Sequence, residues 1–245
     1  KISLDNLKQM NDTMYHRGPD DSGEEIFAMK NGYGIGMAQR RLSILDLSPL
    51  GHQPMHSRDG RISVVFNGEI YNFLEIKEEL QDYPFLSTCD TEVIIAAYLK
   101  WGISCVDKFN GMFAICLYDR ETDDVYLVRD RIGKKPLYYE VEDGNLYFAS
   151  ELKPLMAREG FKGEINREIL SRYLFQQYIN APDTIFENVY KLEPGGVLQF
   201  RYGEMKTWKY WDIKTVYHKM QENPVTDYGQ AKSELKELLK KSVAR

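Results

Sequence analysis

The stretch from Val64 to Asn72 (Val, Val, Phe, Asn, Gly, Glu, Ile, Tyr, Asn) holds the residue types in this chain best suited to chemistry. Asn67 can donate through its amide NH2, Gly68 lets a backbone N–H come close to a ligand, and the acid of Glu69 can receive an ammonium group. Two donors converging on one point make an oxyanion hole, usually the largest single contribution to acyl-transfer catalysis. A plainer expectation comes from the same residues. Asn-Gly after a β-prone run is the strongest short-range hairpin signal, which predicts two strands and a tight turn at Asn67-Gly68.

The flanking periodicities give the elements that must hold this stretch. Leu7, Met10 and Met14 share one helical face, with Ser3 or Asp5 available as a cap. Gly18-Pro19 then breaks the helix and a loop is expected. Tyr33 to Ile44 alternates like a strand; Gly34-Ile35-Gly36 within it lacks the third glycine and following helix of a dinucleotide fingerprint. Leu74 to Leu80 reads as an exposed amphipathic helix, and Val93 to Trp101 as a second one with Asp90 as its N-cap. Gly111 to Tyr118 and Val125 to Arg129 form strands around a polar loop. Arg129-Asp130-Arg131 reads as a turn held by internal ion pairs rather than a phosphate grip. Leu137 to Tyr139 pairs with Leu146 to Ala149, Ile169 to Tyr178 is helical, and Val197 to Tyr202 with Thr207 to Trp211 make a last strand pair. Beyond Trp211 the polar composition suggests a linker, followed by a helix from Tyr228 to Val243 with Leu235, Leu238, Leu239 and Val243 on one face. Hairpins mixed with amphipathic helices, without regular βαβ alternation, indicate an α+β class.

Composition narrows the partners. A chain of 245 residues with 43% hydrophobic and 13% aromatic residues can build a substantial core. A net charge of −5 without a basic stripe argues against nucleic acid or a lipid surface, and no apolar run is long enough to span a bilayer. Cys89, Cys105 and Cys116 are odd in number and lack metal-like spacing, which suits a reducing, cytoplasmic location and gives no metal site.

Beyond the central stretch the chain carries His16-Arg17-Gly18-Pro19-Asp20, Arg41-Leu42-Ser43-Ile44, Gly51-His52-Gln53-Pro54, Asp90-Thr91-Glu92-Val93, Arg129-Asp130-Arg131-Ile132-Gly133, Phe148-Ala149-Ser150-Glu151 and Lys191-Leu192-Glu193-Pro194-Gly195. In this order the motifs resemble the glutaminase half of glutamine-hydrolysing asparagine synthetases, which are class II (N-terminal nucleophile) glutamine amidotransferases. The resemblance runs through Tyr210-Trp211. It implies an N-terminal-nucleophile αββα four-layer sandwich, lacking its first strand in this chain.

It also implies the site. Arg41 would hold the α-carboxylate of L-glutamine, since a planar guanidinium suits bidentate carboxylate recognition, with the backbone of Leu42, Ser43, Ile44 and Leu45 beside it. Glu69 and Asp90 would bind the α-amino group, and the Asn67 side chain and Gly68 N–H would hold the oxyanion. The family's nucleophile is a mature N-terminal cysteine, whereas this chain opens at Lys1. An opening strand on the order of ten residues is therefore expected to be absent, and the chain as written is expected to give no turnover. Cys89, where the family would have a serine or other small residue, lies beside a helix N-terminus that could lower its pKa, yet it has no matched base.

The resemblance divides the chain into a glutamine amidotransferase domain over residues 1–211 and, over 212–245, a linker and the first helix of a truncated synthetase domain. The glutaminase step needs no cofactor; ATP and Mg2+ belong to the synthetase domain, which is the expected partner and converts aspartate to asparagine with the freed ammonia. Association as a homodimer is compatible with these readings. Two rivals stay open: an amidotransferase of the same lineage with another acceptor, and a catalytically silent glutamine-binding module.

Overall fold

The computed structural model describes residues 3–30, 32–42 and 48–244. Helix α1 (Leu4–Asp12) starts where the Ser3 hydroxyl accepts the N–H of Asn6. It is followed by a single 3-10 turn at Tyr15–Arg17 and by an antiparallel pair, β1 (Asp21–Ala28) and β2 (Gly34–Arg41). β1 begins inside the expected loop. Its acids Glu24 and Glu25 interrupt any apolar alternation, and its pairing with β2, Asp21 opposite Arg41, supplies what local sequence does not.

The centre is a six-stranded antiparallel sheet in the order β11-β10-β6-β5-β4-β3. Its strands are β3 (Met55–His56), β4 (Ile62–Ile70), β5 (Gly111–Asp119), β6 (Asp124–Arg129), β10 (Gly196–Arg201) and β11 (Glu204–Lys209). Helices α2 (Phe73–Glu79) and α3 (Asp90–Trp101) lie between β4 and β5 in the chain. Period-two alternation sends Ile62, Val64, Phe66 and Ile70 of β4 to one face, where they pack with Val93, Ile94 and Ala97 of α3. Val65, Ala114, Cys116 and Leu127 point to the opposite face and pack with Phe27, Ile35 and Met37 of β1 and β2. Each fully buried aliphatic side chain contributes about 2 kcal/mol to this two-sided core.

That second face also receives β7 (Tyr138–Glu142) and β8 (Asn145–Ala149), which form a three-stranded sheet with β9 (Val189–Lys191) in the order β8-β7-β9. α4 (Leu152–Met156) follows β8, and α5 (Arg167–Gln176) follows α4. Among the described residues β2 has a strand partner on one side only, β1, and β8 likewise only β7.

Three expectations are corrected. Asn67-Gly68 is not a turn: both residues lie within β4, paired with Ala114 and Phe113. Glycine serves there for close approach, because a Cβ at position 68 would overlap the Met112 carbonyl and Phe113 Cα of β5. The turn after β6 is held by hydrogen bonds to backbone rather than by ion pairs. Arg129 donates to the carbonyls of Gly133, Lys135 and Leu192, and Asp130 accepts from the N–H groups of Phe113, Ile132, Lys134 and Lys135. Finally, much of the expected linker is helix α6 (Ile213–Glu222), capped by Asp212, ahead of α7 (Tyr228–Val243). The chain divides into two compact units, residues 1–210 and 211–245.

Candidate functional site

Alternation along β4 sets up the site. In an antiparallel pair, neighbouring residues point their backbone groups alternately toward and away from the partner strand. Phe113 turns its N–H to the Asp130 carboxylate and its carbonyl to the Asp130 N–H, so it faces away from β4. Its opposite number Gly68 therefore belongs to the non-hydrogen-bonded set, together with Phe66 and Ile70. The N–H groups of this set leave β4 on the side away from β5. Phe66 N–H is taken by Gln53 Oε1 at 2.7 Å, and Ile70 N–H by Asp90 Oδ2 at 2.9 Å. Between them the N–H of Gly68 has no partner recorded among the described residues.

The side chains of Asn67 and Glu69 share the face of Val65, toward β2 and β8. There they line a cavity of about 910 Å3, whose wall also includes Arg41, Leu42, Gly68, Cys89, Asp90 and Thr91. The amide nitrogen of Asn67 donates one hydrogen bond, to Ser150 Oγ at 3.2 Å, just beyond the end of β8. The cavity continues as a long groove with nearly all of β2 on one wall and all of β8 on the other.

Asp90 is the first residue of α3 rather than its cap. The N-cap is Cys89, whose side chain makes no cap bond, while the Asp90 carboxylate reaches across to Ile70 at the end of β4. That bond brings the start of α3 beside Glu69. Burial pushes the Asp90 carboxyl above its usual range and the charge of Glu69 adds to the effect, partly offset by the Ile70 N–H. Glu92 fixes the approach to the helix by accepting from the N–H groups of Leu86 and Ser87. Arg41, at the end of β2, is buried to 9% exposure. A methyl group at Gly51 would overlap its guanidinium, and one at Gly18 would overlap the Arg40–Arg41 peptide, so two glycines form its seat.

Of the residues expected at the site, Arg41, Leu42, Asn67, Gly68, Glu69 and Asp90 come together on this cavity; Ser43, Ile44 and Leu45 lie outside the described residues. Cys89 also lines it, but burial raises its thiol pKa, and Thr91 Oγ1 is its partner at 3.2 Å. The lowering that a helix terminus could give is outweighed by desolvation. Cys105 is pushed up to about 12 by burial, and Cys116 is raised by complete burial. Sequence reasoning gave no role to Gly51, Gln53 or Ser150. Their signal was present only as short polar motifs, Gly51-His52-Gln53-Pro54 and Ser150-Glu151, with nothing local to say what they would face. Among the described residues no group of His, Cys, Asp and Glu is arranged to hold a metal ion, and no helix is long and apolar enough to cross a membrane.

Residues 1–211 match the family model described as glutamine amidotransferase domain. The chain belongs to that family. This amidotransferase domain is 39% identical to a putative glutamine-hydrolysing asparagine synthetase 2 of Methanocaldococcus jannaschii over 89% of this chain and 46% of the relative. It is 40% identical to asparagine synthetase 2 (glutamine-hydrolysing) of Bacillus subtilis over 86% of this chain and 28% of the relative. It is 36% identical to amidase chry2 of Gibberella zeae over 87% of this chain and 31% of the relative. The chain thus spans less than half the length of these relatives. Its fold is shared with a glutamine phosphoribosylpyrophosphate amidotransferase of B. subtilis, with a TM-score of 0.56 at 18% identity over 83% of this chain and 45% of that one.

Proposed function

We propose that this amidotransferase domain is the glutaminase part of an asparagine synthetase, hydrolysing L-glutamine to glutamate and ammonia. The observation that carries the reading is the convergence of Arg41, Asn67, Gly68, Glu69 and Asp90 on one cavity, with the Gly68 N–H and an Asn67 amide N–H as neighbouring donors. In this reading the Arg41 guanidinium takes the α-carboxylate, and Glu69 with Asp90 takes the α-ammonium. The side-chain carbonyl of glutamine lies between Gly68 and Asn67.

The nucleophile is a cysteine presented ahead of Lys1, on a strand occupying the groove between β2 and β8. The open edges of those two strands, facing one groove, support this. Such a strand would join the two smaller sheets and complete an N-terminal-nucleophile αββα sandwich. Its own α-amine accepts the thiol proton, the thiolate so formed attacks the amide carbon, and the α-ammonium passes that proton to the nitrogen that leaves as ammonia. Negative charge on the carbonyl oxygen is met by Gly68 and Asn67, and water then cleaves the thioester to release glutamate. Residues 212–245 lead into a synthetase domain, which would bind ATP and Mg2+ and pass the freed ammonia to aspartate; the relatives' name, glutamine-hydrolysing asparagine synthetase, supports that domain, and ATP and Mg2+ follow from the family resemblance.

The test is the full-length gene product assayed for glutamate release from glutamine, and for asparagine with aspartate, ATP and Mg2+. Glutaminase and asparagine formation together are expected. Absence of glutaminase activity overturns the reading. A second reading, a different ammonia acceptor, is favoured by the likeness to amidase chry2; glutaminase activity without asparagine formation would select it.

A further inference from the structure

An oxyanion donor on a rotatable carboxamide is useful only if its N–H is held toward the reacting oxygen, because the same group turned over presents a repelling carbonyl. On β4 nothing in the strand itself fixes the Asn67 carboxamide. The fixing contact comes from far away in the chain: Nδ2 of Asn67 donates to Ser150 Oγ at 3.2 Å, across the groove between the central sheet and β8. Nδ2 carries two hydrogens. With one engaged by Ser150, the plane of the amide is set and the second hydrogen remains for the cavity that Gly68 also faces.

Ser150 is itself pinned. Its neighbour Glu151 accepts from Arg17 Nη1 at 3.2 Å, contacts His16 Nε2 at 3.2 Å and approaches Lys153 Nζ at 3.9 Å. Although burial acts the other way, the bonds from His16 and Arg17 hold the Glu151 carboxyl below its usual range. On the other side Ala149, the last residue of β8, is paired with Tyr138 of β7. The serine is therefore fixed between a strand end and an ionic clamp that ties it to the 3-10 turn at Tyr15–Arg17. Arg17 and Glu151 are partly exposed, so the pair contributes at most about 1 kcal/mol, and its effect here is to restrain the backbone next to Ser150.

We propose that Ser150 is a positioning residue for the oxyanion hole: its hydroxyl oxygen orients the Asn67 carboxamide so that the free amide N–H meets the developing oxyanion. The proposal rests on the glutaminase reading above and adds to it a residue that touches neither the substrate's α-carboxylate nor its α-amine.

The experiment measures glutaminase kcat and KM in the full-length gene product carrying Ser150→Ala or Ser150→Thr. It also measures affinity for glutamate and inhibition by glutamate γ-semialdehyde, whose thiohemiacetal with a cysteine places an oxygen in the hole. Complete loss of one oxyanion donor costs about 100- to 1,000-fold in kcat; loss of its orientation is expected to cost about 10-fold. The alanine variant should therefore lose about 10-fold in kcat and in semialdehyde inhibition, with KM and glutamate affinity within about 2-fold. The threonine variant, which keeps the hydroxyl, should recover most of the loss. Should the alanine variant fail to fold, Ser150→Cys, similar in size and a poor acceptor, is expected to show the same kcat loss. An unchanged kcat, or equal losses in kcat and glutamate affinity, or no recovery with threonine, overturns the proposal while leaving the glutaminase reading intact. A wild-type protein that releases no glutamate from glutamine overturns both.

Discussion

Arg41 and Asp90 are expected to hold the two charged groups on the α-carbon of the same ligand, and their environments predict different signatures. Removing a charge-assisted contact to a group remote from the scissile bond weakens binding of ground and transition states alike. Arg41→Ala in the full-length protein should raise KM for glutamine about 10- to 100-fold with little change in kcat, read from initial-rate kinetics. Because a methyl group at position 51 falls on the guanidinium, Gly51→Ala should act in the same direction, raising KM on the order of 10-fold without touching the ligand. For Asp90 the sign follows from its raised pKa. A bound ammonium favours the carboxylate and pulls that pKa down, so between the free and bound values binding must release a proton, and affinity falls as pH drops. The KM for glutamine should therefore begin to rise on acidification at a pH above the ordinary aspartate range. Asp90→Asn should raise KM and flatten that dependence.

At the scale of elements, β4 and α3 set the site together, one by alternation and the other by a carboxylate bonded to the strand's end. Gly68→Ala should destabilise the protein by about 2 kcal/mol, since its Cβ can be placed only by moving β5 backbone away; a lower thermal midpoint with unchanged far-UV dichroism would register it. This position also shows how far sequence reaches. The residue types at 67–69 were legible as donors and an acid, and the helices at α1, α2 and α5 were legible from their apolar faces; α3, expected to be amphipathic, is instead buried all round from Asp90 to Tyr98. The backbone conformation at Asn67-Gly68 was not, because the hairpin preference of Asn-Gly, though the strongest of its kind, is local, and here nine residues of β4 pair continuously with β5. Asp90 was misread as a cap for a related reason: an acid at a helix start has the same local signature whether it bonds its own turn or a strand twenty positions earlier. β1 was hidden by its two glutamates, whereas α6 was missed although Ile213, Val216, Tyr217 and Met220 stand at helical spacing. Ser150 could not be tied to Asn67 from sequence at all, since their contact spans 83 positions.

On the scale of the whole molecule, the two units differ in how they bury their apolar residues. The first builds a two-sided core around the central sheet, whereas α6 and α7 bury none of their residues, with Leu238 at 63% and Val243 at 87% exposure. Amide hydrogen exchange should accordingly find the strands of the central sheet strongly protected, and α7 exchanging orders of magnitude faster in a dilute sample of this chain. The groove between β2 and β8 has a different consequence. A strand with an unmatched row of backbone donors and acceptors is a template for any other chain that can lie against it, and among the described residues β2 and β8 each present one edge without a strand partner. Concentrated samples should therefore form intermolecular β-ladders, seen as a concentration-dependent heavier species in sedimentation velocity, and Gly36→Pro on β2 should suppress it by removing one donor from the template. Solubility and catalytic assembly would then depend on the same few backbone N–H groups, so that whatever fills the groove protects the molecule from its own copies.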